Sequence, residues 1–295
     1  MALAHFRAPV VWLIVTAAAP GAGASTADDV AGLVSDRTTN ERRDALVATL
    51  SAAPFREVAP RIVPLLREYA TPAEPGMGPK PWLEDGHSVR ARIWYALGAV
   101  WQSQIAGEPD PAKAHTLHSM LGASGHPRDR CELIQAIGHH WTEASERPLA
   151  ALVERRSEAA EVRVAAASEL LRRAPIDRYV PAAVALVREL APSERSAAYR
   201  DLANLGNAVR AARADSRASL VDLGFELLEA DENPDGRYFL ARAVGFLLDA
   251  PGEFAPDVRD PQYQSPNGLT PAFFEQTVRN ARTWRAAHPP EAPIR

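Results

Sequence analysis

The chain has 295 residues, 24% of them charged, and a formal net charge of −4. An acidic chain without a concentrated basic face lacks the electrostatic grip that nucleic-acid binding requires. Its single cysteine, Cys131, excludes an internal disulfide framework, so packing alone must hold the fold.

The first 24 residues have the pattern of a signal peptide. Arg7 gives a short positive region, Val10 to Val15 an apolar run, and Pro20-Gly21 a break. Ala22-Gly23-Ala24 then supplies the small-x-small cleavage signature. The expected mature chain begins at Ser25, carries 32 − 37 = −5 charges without Arg7, and is exported to the periplasm or beyond the cell. No membrane insertion is expected after cleavage, and a retained N-terminal anchor is the alternative.

From there the strongest signal is internal repetition. Val89 to Gly98 (VRARIWYALG) and Asp129 to Gly138 (DRCELIQAIG) align at an offset of 40, and Trp101 falls on Trp141. The same frame yields a column of Arg43, Arg90, Arg130, Arg163, Arg195 and Arg237, with steps of 47, 40, 33, 32 and 42. Steps of that size fit a helix pair plus a variable loop. Partner helices lie between: Glu57 to Glu68 lines up with Arg178 to Glu189, prolines included, and those prolines are expected near the helix starts. Asp110-Pro111 and Thr270-Pro271 are cap-then-proline starts. Cys131 falls among apolar helical positions and reads as a small buried hydrophobe.

Helices of the Arg-x-x-Ala-x-x-Ala-Leu-Gly type, preceded by proline-marked partners, resemble HEAT repeats, in particular the short phycobilisome-lyase-type variety. The resemblance implies an all-α fold, an alpha-alpha superhelix of about six helix pairs over residues 25–250. Trp94-x-x-Leu97-Gly98-x-x-Trp101 is also similar to the first helix of a tetratricopeptide repeat, but Asp110 stands where that pattern needs alanine.

Two stretches interrupt the stack: residues 71–87, rich in Pro and Gly and holding Trp82, and residues 251–268, with Pro261, Pro266 and an Asn267-Gly268 turn. They read as solvated insertions between repeats. Pro271 to Ala287 is then expected to form a capping helix, with Phe273, Phe274, Val278, Ala281 and Trp284 as its apolar face, so residues 251–295 form an irregular loop plus cap.

The chemistry-bearing candidates are few. Asp231-x-Asn233-x-Asp235-Gly236 has the spacing of a calcium loop, but Arg242 stands where the bidentate glutamate belongs, so a polar turn is expected. His115 and His118 share a helix face and could share a metal, yet neither HExxH nor the His-Glu pairs of iron-binding HEAT-like hydroxylases occur. No G-x-S-x-G and no phosphate-loop glycine array is present. No cofactor is expected.

The arginine column is expected to link neighbouring repeats; alternatively it lines a ligand-facing surface. Trp101 and Trp141 are the best candidates for an aromatic platform, with Arg90, Arg130 and Trp82 as further partner-binding candidates, and core packing is the alternative for the two indoles. The leading expectation is a non-enzymatic binding or scaffold protein that takes a protein or peptide on the concave face of a solenoid. The alternative classes are a metal- or prosthetic-group-dependent enzyme of lyase or hydroxylase type using His115 and His118, and a purely structural envelope module.

Overall fold

The computed structural model describes residues 25–70, 88–173, 176–190, 214–230, 234–265 and 268–289. The expected signal peptide, the first loop with Trp82, and Arg195 lie outside the described residues. What is described is almost wholly α-helical, so the all-α fold class holds. Nine helices come first: α1 (Thr26–Leu33), α2 (Asn40–Ala52), α3 (Phe55–Tyr69), α4 (Val89–Ile105), α5 (Pro111–Ala123), α6 (Pro127–His139), α7 (Glu146–Glu154), α8 (Ala160–Arg173) and α9 (Ile176–Glu189). They are followed by α10 (Ala214–Ala230), α11 (Pro234–Leu247), the single turn α12 (Pro251–Phe254) and α13 (Pro271–Ala287). The departures among the described residues include two 3-10 turns, Glu143–Ser145 and Pro261–Tyr263, and a two-residue antiparallel ladder, with Gln264 opposite Leu269 and Ser265 opposite Gly268, within the second interrupting stretch.

Local chemistry sets the helix starts. Ser25 opens α1 with a capping box to Asp28. Thr39, Ser88 and Asp110 accept backbone N–H groups at the starts of α2, α4 and α5, and His126 does the same for α6, with Pro127 next. The capping helix has the expected bounds, although Thr270 makes no side-chain cap and sends its hydroxyl to the Gln262 carbonyl instead. The prolines of α3 and α9 depart from expectation. Pro60, Pro64 and Pro181 lie inside their helices, and all three are on exposed turns. Each removes a backbone donor on a face open to solvent, where the loss costs least.

Packing follows chain order. α1 lies on α2, α3 on α4, α5 on α6, α7 on α8 and α10 on α11. Among the second members, α2 packs on α4 and α6 on α8. Between the second and third pairs the contact is carried by α3 instead, which lies against both α5 and α6. α9 joins α7 and α8 to α10, and α11 receives α12 and α13. One apolar core runs from Val30 to Ala281. α8 is its centre: every residue from Val162 to Leu171 is buried, including Arg163, Ser168 and Glu169. Its run of Ala165, Ala166 and Ala167 lets neighbours approach on all sides.

Candidate functional site

The arginine column is the first feature with consistent geometry, and it serves the fold. Arg43, Arg130 and Arg163 each stand at the fourth position of their helix and donate to the C-terminal carbonyls of the helix before it. Arg43 reaches Leu33 O at 3.2 Å and Ser35 O at 3.0 Å. Arg130 reaches Leu121 O at 3.0 Å and Ser124 O at 3.1 Å, and Arg163 reaches Val153 O at 3.0 Å. Helix ends leave such carbonyls without partners, so a guanidinium tucked beneath them answers two needs at once. The outer nitrogens then reach onward, from Arg130 to Glu158 at 2.8 Å and from Arg163 to Glu189 at 3.3 Å on both arms. Arg130 is therefore committed inside the protein and is corrected from a partner-binding residue to a structural one. Arg90 is exposed, but it too donates to the end of the previous helix, at Glu68 O, and covers the Tyr69 ring.

The aromatic platform does not form. Trp101 is 2% exposed and stacks on Phe55 with centroids 6.4 Å apart. It sits four residues beyond Leu97, on the stripe that α4 turns to the core. Trp141 lies past the end of α6, in the following turn, half-buried against the core. The offset of 40 fails here because α4 continues to Ile105 whereas α6 stops at His139. The preceding glycines differ as well. A side chain on Gly98 would meet nothing, whereas Gly138 is roofed by the Glu169 carboxylate, 1.9 Å from where a Cβ would stand.

The metal candidates also disperse. His115 is exposed, while His118 is half-buried and hydrogen-bonded through Nε2 to Ser145 Oγ at 2.9 Å. Among the described residues no group of three or more His, Cys, Asp or Glu side chains converges. Asp231 and Asn233 lie outside the described residues, and Asp235 falls in the first turn of α11. Arg242 spreads over the rings of Tyr238 and Phe246 at 5.7 and 5.8 Å.

The His118–Ser145 pair is a base beside a hydroxyl, yet Ser145 is fully buried and closes a capping box with Thr142. The neighbour that acts on His118 is His115, not a carboxylate that would orient it for acyl transfer. Burial, with a smaller push from His115, holds the His118 imidazole below its ordinary range.

Two groupings were not anticipated. Glu132 on α6 is half-buried; burial first, then Asp129, pushes its carboxyl above the usual range, while Arg128 acts against them. The second grouping is aromatic. Tyr238, Arg242 and Phe246 follow each other at four-residue steps along α11, all half-exposed. Phe274 of α13 meets Tyr238 edge-on at 4.7 Å, and Tyr263, from the turn before the ladder, reaches Phe273 beside it at 5.8 Å. The rings come from three elements, so no local motif announces them; the signal available was the four-residue spacing of Tyr238, Arg242 and Phe246. In the aligned frame Arg242 is level with Tyr95 of α4, which is half-buried, and Gln135 of α6, which is exposed.

Among the described residues no helix is long and apolar enough to cross a membrane. No protein-family model matches the chain, and no curated protein matches it.

Proposed function

We propose that the chain is an exported, non-enzymatic binding or scaffold protein, a HEAT-like solenoid that takes a protein or peptide partner on the outward face of its second helices. The observation that carries this reading is the half-exposed stripe of Tyr238, Arg242 and Phe246, extended by Phe274. Tyr, Phe and Arg concentrate at recognition surfaces because they offer rigid apolar area together with a polar or charged handle. Arg242 has no carboxylate partner among the described residues, which leaves its guanidinium available to an acidic or carbonyl group of a partner.

On this reading recognition lies at the C-terminal end, away from Trp101 and Trp141. The enzyme reading loses support because His118 is engaged by Ser145 and its neighbour His115 is exposed. The test is affinity capture from the native host with the wild-type chain and an Arg242→Glu variant side by side, with metal analysis of both. The reading expects a protein retained by the wild type and lost by the variant, with no stoichiometric metal in either. Equal retention by both, or a bound metal, overturns it.

A further inference from the structure

The loop between α4 and α5, residues 106–110, is tied to the C-terminal end of α6 by two consecutive histidines. His139 Nε2 lies 3.1 Å from the Gly107 carbonyl, at a glycine whose φ of 100° suits no other residue. His140 is 0% exposed, and its Nδ1 accepts the backbone N–H of Asp110 at 3.1 Å. An amide can only donate, so His140 Nδ1 carries no proton and the ring is neutral, with its hydrogen on Nε2. That Nε2–H faces the Ile105 carbonyl without closing a full hydrogen bond.

The tie lies where the packing between helix pairs changes. α4 is held to the first pair by Gln104, whose amide donates to Leu50 O at 2.6 Å and Ala53 O at 3.0 Å. The next pair is joined to this unit through α3, through the Arg67–Asp129 ion pair at 3.0 Å, and through the two histidines. Lys113 adds one further bond, to the Gln104 carbonyl at 2.6 Å.

We propose that His140 is an acid-sensitive latch: protonation at Nδ1 turns the acceptor into a donor facing another donor, and frees the α4–α5 loop from the end of α6. The charged groups facing the ring set its direction. Burial weighs most, and Lys113 of α5 and His139 of α6 add to it in holding the imidazole below its ordinary range; Asp110 and the Ile105 carbonyl oppose them. On the other packed elements, Glu169 of α8 lies against Gly138, and Arg67 of α3 is spent on Asp129 at the opposite end of α6. Glu108 of the loop and Glu143 of the turn after α6 are the next charged residues along the chain. The Asp110 carboxylate caps the Ala112 amide through Oδ1 at 2.8 Å, so the loop that protonation frees carries the N-cap of α5 with it. The corner therefore loosens as pH falls.

The test reads the Asp110 amide directly, by hydrogen exchange on the full chain, corrected for intrinsic exchange, from about pH 7.5 to about pH 5. His140→Asn supplies the control, because Asn Oδ1 takes the place of Nδ1 as an acceptor that does not titrate. Protection of Asp110 is expected to fall about tenfold or more in the wild type by about pH 5, because the freed imidazole, with an ordinary value of 6.5, takes up the proton that the latched ring resists. In His140→Asn it should stay flat with pH, and in His118→Gln it should fall as in the wild type. Flat protection in the wild type, or an equal fall in His140→Asn, overturns the proposal.

Discussion

Arg163 and Glu189 meet at 3.3 Å through both arms of the guanidinium, while the Nε of the same arginine holds the Val153 carbonyl at the end of α7. One buried side chain on α8 therefore joins the helix before it to the helix after it. Replacing Arg163 with methionine keeps the stem and removes the donors. The loss expected is about 1–3 kcal/mol, the cost of a buried carbonyl left without a partner. Arg188 and Glu226, each more than half exposed at 2.6 Å, form the comparison pair, whose removal should cost about 0–1 kcal/mol. Urea melts of both variants separate the cases, and equal losses would contradict the structural account of the column.

Gly98 and Gly138 occupy one position in the repeat frame and should respond oppositely to alanine. Gly138→Ala drives a methyl into the Glu169 carboxylate on the central helix and should cost about 1–3 kcal/mol. Gly98→Ala meets open space within α4 and should stabilise by up to about 1 kcal/mol. The thermal midpoints of the pair provide the check.

Trp101→Ala should cost about 3–5 kcal/mol, as for a large core side chain, without changing any binding. Calorimetry of the variant checks this. The residue shows where sequence reasoning reached its limit. Helix starts were legible because caps and prolines act locally: Asp110-Pro111 and Pro271 to Ala287 stand where their residues placed them. The arginine column was legible as structure because Arg43, Arg90, Arg130 and Arg163 repeat one local task, holding the end of the helix before them. Burial was not, because it depends on how far each helix runs and on what lies above it. α4 and α6 share a sequence frame but not a length, so Trp101 enters the core and Trp141 falls in a turn. α8 carries Arg163, Ser168 and Glu169 among its apolar residues, yet every residue from Val162 to Leu171 is covered. The Tyr238 surface joins residues of α11, α13 and the turn at Pro261–Tyr263, which no single window contains.

Two titrating groups should pull stability in opposite directions. Glu132 is held above its ordinary value of 4.5 by burial, so the folded state ionises it less readily than the unfolded chain does. Its penalty is absent below that ordinary value and grows as pH rises through the raised one. Glu132→Gln should therefore raise the thermal midpoint at neutral pH and leave it unchanged in acid. His118 is held below its ordinary value of 6.5, so stability is full above that value, declines as pH falls toward the lowered one, and levels off beneath it. His118→Gln should flatten that part of the profile. Denaturant melts across the pH range read both effects, and a Glu132→Gln variant destabilised at neutral pH would reverse the assigned sign.

The central claim is that Tyr238, Arg242 and Phe246 form the recognition surface of a binding protein. Arg242 makes only ring contacts among the described residues, so reversing its charge should cost little stability while removing a donor that a partner would use. The direct measurement is the dissociation constant of the captured partner for the wild type and for Arg242→Glu, taken with the thermal midpoint of each. The account predicts affinity weakened at least about tenfold, or about 1.4 kcal/mol, with the midpoint unchanged. Undiminished affinity in a folded Arg242→Glu variant would contradict it.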